Sequence, residues 1–430
     1  MYRRDPRSSF MDPIASLLVS RSKAIALTFW VLALLALPIW MSSDHPGWDI
    51  VFYRNAITSL HAGHDPYSDA MNVQRAFHAT LAQHPNDIPP FSYVYSPMTL
   101  PLLRFLGALP IWFAGSFYWL GIAIGAMVPL YVMLRAREED DFAFFRIVAP
   151  AAIFFPGLLA QDTVLSGNVA FILYGLVLLG AAYGWKRNRW LWCYLAILSA
   201  SVFKAPLLCL VAIPLFSARK QWLPSAVTAL LGTAIFGIQS LIWPSLFHHW
   251  LQAVELQFSY NRDFGSSPAG VFSYIITGRG VSYSPYSEIF YLFYGVIIFA
   301  TLLYLSRQYL AGRFTLGQWI PVLLLGSVML NPRLMEYDLA PLALPMALIG
   351  WRFARRINAS SISGLVYFLI FLAGNLIGAG ITGMWKPTEC VFLVTFFIAG
   401  CWNLLHLAPT VSSDAVSPSE AVGAAVVKMA

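Results

Sequence analysis

The chain has 430 residues, 58% of them hydrophobic and only 11% charged, with a mean hydropathy of +0.66. A soluble domain carries roughly 25% charged residues and could not bury this much apolar surface, which excludes a water-soluble globular fold. The net charge of +7 does not point to nucleic acid, because the basic residues are dispersed over short loops between apolar runs.

Residues 1–23 read as a polar, disordered cytoplasmic tail. The apolar run 24–42 follows Arg21 and Lys23 and lacks a small-residue cleavage site, so it reads as a retained anchor helix. Further apolar runs, near 107–134, 146–161, 164–184, 189–203, 206–217, 222–243, 287–306, 315–331, 336–351, 360–382 and 388–407, bring the expected total to about twelve spans. The runs 189–203 and 206–217 are short for a ~30 Å hydrocarbon core. They read either as two helices or as one broken helix, and the second choice would invert everything downstream. The four cysteines lie in apolar spans without a C-x-x-C pair, so neither a disulfide framework nor a zinc site is indicated. Residues 409–430 form a second disordered tail.

The positive-inside rule decides between the topologies. With both termini inside, each short inner loop is basic, and all but eight of the 27 Lys and Arg fall on the inner side. The eight on the outer side are Arg54, Arg75, Arg104, Lys204, Arg262, Arg279, Arg333 and Lys386. The fold expected is therefore an all-α polytopic integral membrane protein, one membrane domain over 24–408, in a bacterial inner membrane. No internal repeat is visible.

Two outer segments are too long to be plain connectors: 42–106, and 244–286 in the fourth outer loop. In the first, Ile50 to Leu60 and Met71 to Gln83 have amphipathic helical patterns suited to a membrane surface. Ile88 to Pro97 reads as extended, which puts Tyr93 and Tyr95 on one side. In the second, His248 to Tyr260 is another amphipathic candidate, followed by a flexible Asp263 to Pro268 stretch.

The polar residues of this outer face carry the functional signal. Asp49, just past the first span, suits a general base acting on an acceptor hydroxyl, and equally an N-cap for a helix starting at Ile50. Lys204 precedes Pro206 at an outward helix start, a place for a phosphate or for a snorkelling lysine. In Asn331-Pro332-Arg333, proline again opens a helix, and Arg333 and Glu336 at i,i+3 can pair as a salt bridge. Ser166-Gly167-Asn168 opens a third. Three polar helix starts, two beside a cation, suggest an anionic lipid headgroup. His61 and His64 have a metal-like spacing, but Gly63 between them breaks the helix that would present both. No D-x-D occurs in an outer loop, so no metal or cofactor is expected.

These residues resemble glycosyltransferase family 87, a GT-C group that includes polyprenyl-phosphomannose-dependent mannosyltransferases. The resembling segments are Gly47-Trp48-Asp49 to Tyr53, Leu60 to Gly63 with Asp65-Pro66-Tyr67, and Phe91 with Tyr93 to Pro97. Gly167-Asn168, Lys204-Ala205-Pro206 and Asn331-Pro332-Arg333 with Glu336-Tyr337 continue it in the family's order. The resemblance implies a GT-C-like fold and a polyprenyl-phosphate sugar donor, mannose favoured, acting on a lipid or glycan acceptor at the periplasmic face with inversion. It implies Asp49 as base, with Lys204, Arg333 and Asn168 on the donor phosphate. Tyr53, Arg54, Tyr93, Tyr95, Glu336 and Tyr337 would meet sugar or acceptor. Membrane lipids are the other expected partners. A transporter or flippase of a lipid-linked sugar is the competing reading, although the span centres hold few of the ionisable groups that coupling uses.

Overall fold

The computed structural model describes residues 48–80, 93–108, 168–261, 265–277, 285–357 and 385–406. The spans expected at 24–42, 146–161 and 360–382, nearly all of that at 107–134, both tails, and Arg262 and Arg279 lie outside these residues. The described chain is helical, without a strand; its one β-bridge joins Gly265 to Leu334.

The segment expected to form the first outer loop holds three helices, α1 (Trp48–His61), α2 (Pro66–Thr80) and α3 (Thr99–Ala108). Helix α2 starts earlier than the hydrophobic pattern implied. Asp65 accounts for this, since its carboxylate accepts the Tyr67 N–H at 2.9 Å and caps the turn. The bundle follows as α4 (Ala170–Arg187) and α5 (Leu191–Phe203), then a 3₁₀ helix (Ala205–Val211) running into α6 (Ala212–Ser217), then α7 (Trp222–Ile242). Next are α8 (Pro244–Asn261), α9 (Pro268–Thr277), α10 (Pro285–Leu310) and α11 (Leu316–Met329). A single turn, α12 (Glu336–Leu339), leads through a 3₁₀ turn to α13 (Ala343–Ile357), and α14 (Trp385–Leu405) ends the described chain.

The two short runs are separate helical stretches that double back on each other. Trp185 Nε1 donates to Ser217 Oγ at 2.9 Å, and the Tyr194 hydroxyl donates to Gln221 Oε1 at 3.1 Å. The start of α5 therefore lies beside the end of α6, and the chain reverses at Lys204, whose backbone is extended (φ −138°, ψ 98°). Pro206 permits the reversal by opening the next helix without needing a hydrogen-bond partner for its nitrogen. Gly180 lets α4 and α5 meet closely, since a Cβ there would lie 2.7 Å from the Cys193 Cα.

Among the described residues, three of the arginines assigned to the inner side lie against helix ends at one end of the bundle. Arg219 donates to the Leu310 carbonyl at 3.3 Å, Arg352 to that of Gly317 at 3.1 Å, and Arg356 to that of Asn403 at 2.9 Å. Leu310 and Asn403 belong to the last turns of α10 and α14, where unsatisfied carbonyls carry the negative end of the helix dipole. The same end buries Trp319, whose Nε1 shares the Phe216 carbonyl with Ser306.

Among the described residues three helices are long and apolar enough to cross a membrane: Trp222–Ile242, Glu288–Leu310 and Pro387–Leu405. Helix α7 leaves Leu230 and Leu241 exposed, and α10 leaves Ile289, Phe293 and Val296 exposed. Apolar faces on that scale call for lipid rather than water.

The stretch read as flexible is pinned where it is described. The Ser266 N–H donates to the Leu334 carbonyl at 2.6 Å, Ser267 Oγ to that of Pro332 at 2.6 Å, and the Gly270 N–H to Ser267 Oγ at 3.0 Å. Gly265 has φ +76°, and a Cβ on it would run into the Leu334 carbonyl oxygen. Gly265→Ala is therefore expected to destabilise the fold by about 2 kcal/mol or more, measured as a lowered unfolding midpoint of the purified protein in detergent.

Candidate functional site

The segment Tyr93–Met98 is not helical, so its peptide groups must find partners outside a helix ladder. Each comes from a different element. Trp250 Nε1 of α8 donates to the Val94 carbonyl at 2.9 Å, and the Tyr67 hydroxyl of α2 to that of Tyr95 at 2.7 Å. The Met98 N–H donates to Gln239 Oε1 of α7 at 2.8 Å, and Ser96 Oγ to the Val202 carbonyl of α5 at 2.8 Å. This segment is thus the joint between the outer-loop helices and the bundle. Apolar packing agrees, with Val169 and Phe203 touching both the outer-loop core and the bundle core.

Asp49 lies in the first turn of α1, inside the helix rather than at its N-cap, and Tyr53 follows one turn later on the same face. Asn168, at the start of α4 and 3% exposed, faces both. Its Nδ2 donates to Asp49 Oδ2 at 2.7 Å and to the Tyr95 hydroxyl at 3.1 Å. Its Oδ1 accepts the Ala170 N–H at 2.9 Å, so the amide is fixed in one orientation. The Tyr53 hydroxyl donates to Tyr95 at 2.9 Å and accepts the Val169 N–H at 3.3 Å.

Counting hydrogens over this network gives a chemical result. Each phenolic oxygen already accepts one N–H, and the two hydroxyls share one further bond. One phenolic hydrogen is left for which the described residues supply no acceptor. Burial, and secondarily the Asp49 charge, holds the Tyr53 phenol above the usual tyrosine range; burial, then Tyr53 and Asp49, does the same for Tyr95. Both remain protonated donors at neutral pH. The arrangement offers a carboxylate with a phenolic donor beside it.

Lys204 stands across from this group. Its Nζ is 3.7 Å from Asp338 Oδ1 and 3.5 Å from the centre of the Tyr337 ring. Burial pushes its pKa down, against the raising effects of Asp338 and then Asp49, and Arg333 lowers it further. Asp49, Lys204, Arg333, Tyr337 and Asp338 therefore share one electrostatic neighbourhood. The Arg333 N–H is held by Asn331 Oδ1 at 3.0 Å.

Other expected site residues are placed differently. Tyr93 is buried in the packing between the outer-loop helices, its hydroxyl 2.5 Å from Thr99 Oγ1 and its ring tilted against Tyr67 and Tyr95. Arg54 is half-buried on α1, with Nη1 enclosed and making no hydrogen bond. Glu336 opens α12, and its side chain lies outside the described residues. His61 accepts from Arg104 Nε at 3.2 Å while His64 lies 3.6 Å from Asp69, so the pair diverges. Among the described residues no cluster of three or more His, Cys, Asp or Glu forms a metal-binding group.

Two buried acids at this end escape a reading of motifs alone: Asp338 (2% exposed) and Glu389 (5%), which accepts from Ser266 Oγ. Asp338 is the last charged residue before the apolar run 339–351, and Glu389 is the sole carboxylate of the apolar run 388–407, and those positions were the signal to follow. No family model matches the chain, and no curated protein matches it.

Tyr53→Phe removes the acceptor of the Val169 N–H and a donor to Tyr95. It is expected to destabilise the protein by about 1–3 kcal/mol in denaturant titrations.

Proposed function

We propose that the chain is a membrane glycosyltransferase that moves a sugar, mannose favoured, from a polyprenyl-phosphate donor to a hydroxyl of a lipid or glycan acceptor. The observation that carries this reading is the convergence at one end of the bundle. A carboxylate held by an amide (Asp49, Asn168) shares an electrostatic neighbourhood with two cations (Lys204, Arg333) supplied by distant parts of the chain. An apolar fold gains no stability from such a set unless a ligand or a counter-charge uses it. The resemblance to glycosyltransferase family 87 rests on the motif residues alone, and of these Asp49, Tyr53, Tyr95, Asn168, Lys204, Arg333 and Tyr337 lie at this end.

In this reading Asp49 takes the proton from the acceptor hydroxyl as its oxygen attacks the anomeric carbon. The bond from that carbon to the phosphate oxygen breaks on the opposite side, which inverts the configuration. The electron pair leaves with the polyprenyl phosphate. Lys204 and Arg333 stabilise the charge that develops there, and being held in place they need no reorganisation to do so. Asn168 fixes the Asp49 carboxylate through Oδ2, and the spare phenolic hydrogen of the Tyr53–Tyr95 pair meets a sugar oxygen. The basic end of the bundle faces the cytoplasm and the site faces the periplasm, in a bacterial inner membrane crossed about twelve times.

Reconstituted protein supplied with radiolabelled polyprenyl-phosphate sugars tests the reading. Asp49→Asn should lower turnover by about 10²–10⁴-fold while leaving donor binding near the wild-type value. Transfer of no sugar by the wild type, or an unchanged rate in the variant, would overturn it.

A further inference from the structure

The ion pair between Lys204 and Asp338 has a geometry that the transfer reaction does not by itself require. Asp338 is fixed by its own turn, where Oδ2 accepts the Met335 N–H at 3.0 Å. Its other oxygen, Oδ1, is enclosed and makes no hydrogen bond, and it faces Lys204 Nζ at 3.7 Å. A charge-assisted N–H···O bond measures about 2.7–2.9 Å, so at 3.7 Å this contact is a long one. The side chains are 15% and 3% exposed, and a buried charge without compensation is strongly unfavourable. Each ion thus neutralises the other, across a separation longer than the ammonium would keep to an acceptor free to approach it.

That is the arrangement of an exchangeable counter-ion. A phosphate entering beside Lys204 can accept the short bonds that Asp338 does not, whereas Asp338 cannot leave, being tied to the Met335 amide. It then stands as a fixed negative charge next to the bound phosphate. The sugar donor is a phosphodiester with one negative charge. The leaving polyprenyl phosphate is a monoester carrying about −1.5 to −2 at neutral pH. Repulsion from a fixed carboxylate grows with the ligand's charge, so it falls harder on product than on substrate.

We propose that Asp338 is the resident counter-ion of Lys204 in the empty site and a charge discriminator in the loaded one, favouring the phosphodiester donor and expelling the phosphomonoester product. It is a positioning residue, acting through Lys204. The inference rests on the donor reading above, and it deepens that reading by assigning the site a preference between two lipid phosphates.

The test measures binding alone. The full chain in nanodiscs is titrated at about pH 7.5, where the monoester is mostly dianionic, with a short prenyl phosphate and with its methyl diester. Asp338→Asn keeps an oxygen for the Met335 amide and removes only the charge. It should tighten the monoester about tenfold and the diester about threefold, because the repulsion removed scales with ligand charge. Lys204→Gln should lose most binding of both. Loss of Asp338 also makes the lysine easier to deprotonate, so the pair is repeated with Lys204→Arg, which stays charged. Equal changes for the two lipids in both backgrounds, weakening of both, or full binding by Lys204→Gln would each overturn the proposal. Inorganic phosphate is the third probe. It should bind far more weakly than the prenyl phosphate, and equal binding would overturn the lipid assignment. Sugar transfer is not read in these titrations, so an inactive protein showing the expected shift would reject the transferase reading and leave the anion preference standing.

Discussion

One carboxamide holds the outer half of the site together. Asn168 donates both of its Nδ2 hydrogens, one to Asp49 on α1 and one to Tyr95 on the non-helical segment, while its Oδ1 accepts the amide of its own helix start. Three separate parts of the chain are thereby placed by one planar group whose orientation is not free. The partners on each side distinguish Nδ2 from Oδ1, since a flipped amide would set an oxygen against the Asp49 carboxylate. A water-filled gap at this point would let α1 drift along the surface. With the amide in place, Asp49 takes its position from the bundle.

The non-helical segment makes that placement transmissible. Because Tyr93–Met98 cannot satisfy its own backbone, it recruits Trp250, Tyr67 and Gln239 from three helices. Disturbing any of them shifts the segment, and with it Tyr95 and the hydrogen-bond network around Asp49. On the opposite side the Gly265–Leu334 bridge does the equivalent for Arg333 and Asp338, holding the 331–338 turn against the start of α9. The site thus lies between two pieces of irregular backbone, each anchored by side chains. Irregular backbone is tolerated in a membrane protein where protein surrounds it or where it borders a cavity.

Charge is arranged by the same economy of partners. At one end the arginines lie against helix carbonyls that would otherwise be unsatisfied, with Arg219 and Arg356 as the examples. At the other end the cation Lys204 is set against an aromatic face and a buried acid, with Arg333 lowering its pKa from nearby. The first arrangement is structural in any reading. The second sets two cations beside two carboxylates in one neighbourhood, where each sign offsets part of the cost of burying the other.

Much of this was legible from the sequence, for a definite reason. Hydrophobic run length is a local property read against a fixed solvent, so it forecast most of the described helices and the place of Lys204 between two of them. Proline and polar residues marked helix starts at Asn168 and Lys204 for the same reason, whereas the helix expected to open at Pro332 begins only at Glu336, the chain through Met335 being non-helical. Pairings were not legible. The ion pair of Lys204 with Asp338 joins residues far apart in sequence, which no spacing along one helix would suggest. Tyr93 and Tyr95 looked equivalent by alternation, yet one is spent on Thr99 in the packing and the other belongs to the Asp49 network. Local pattern determines which elements form; only the packed chain decides which buried donor meets which acceptor, because that depends on side chains brought together across the whole fold.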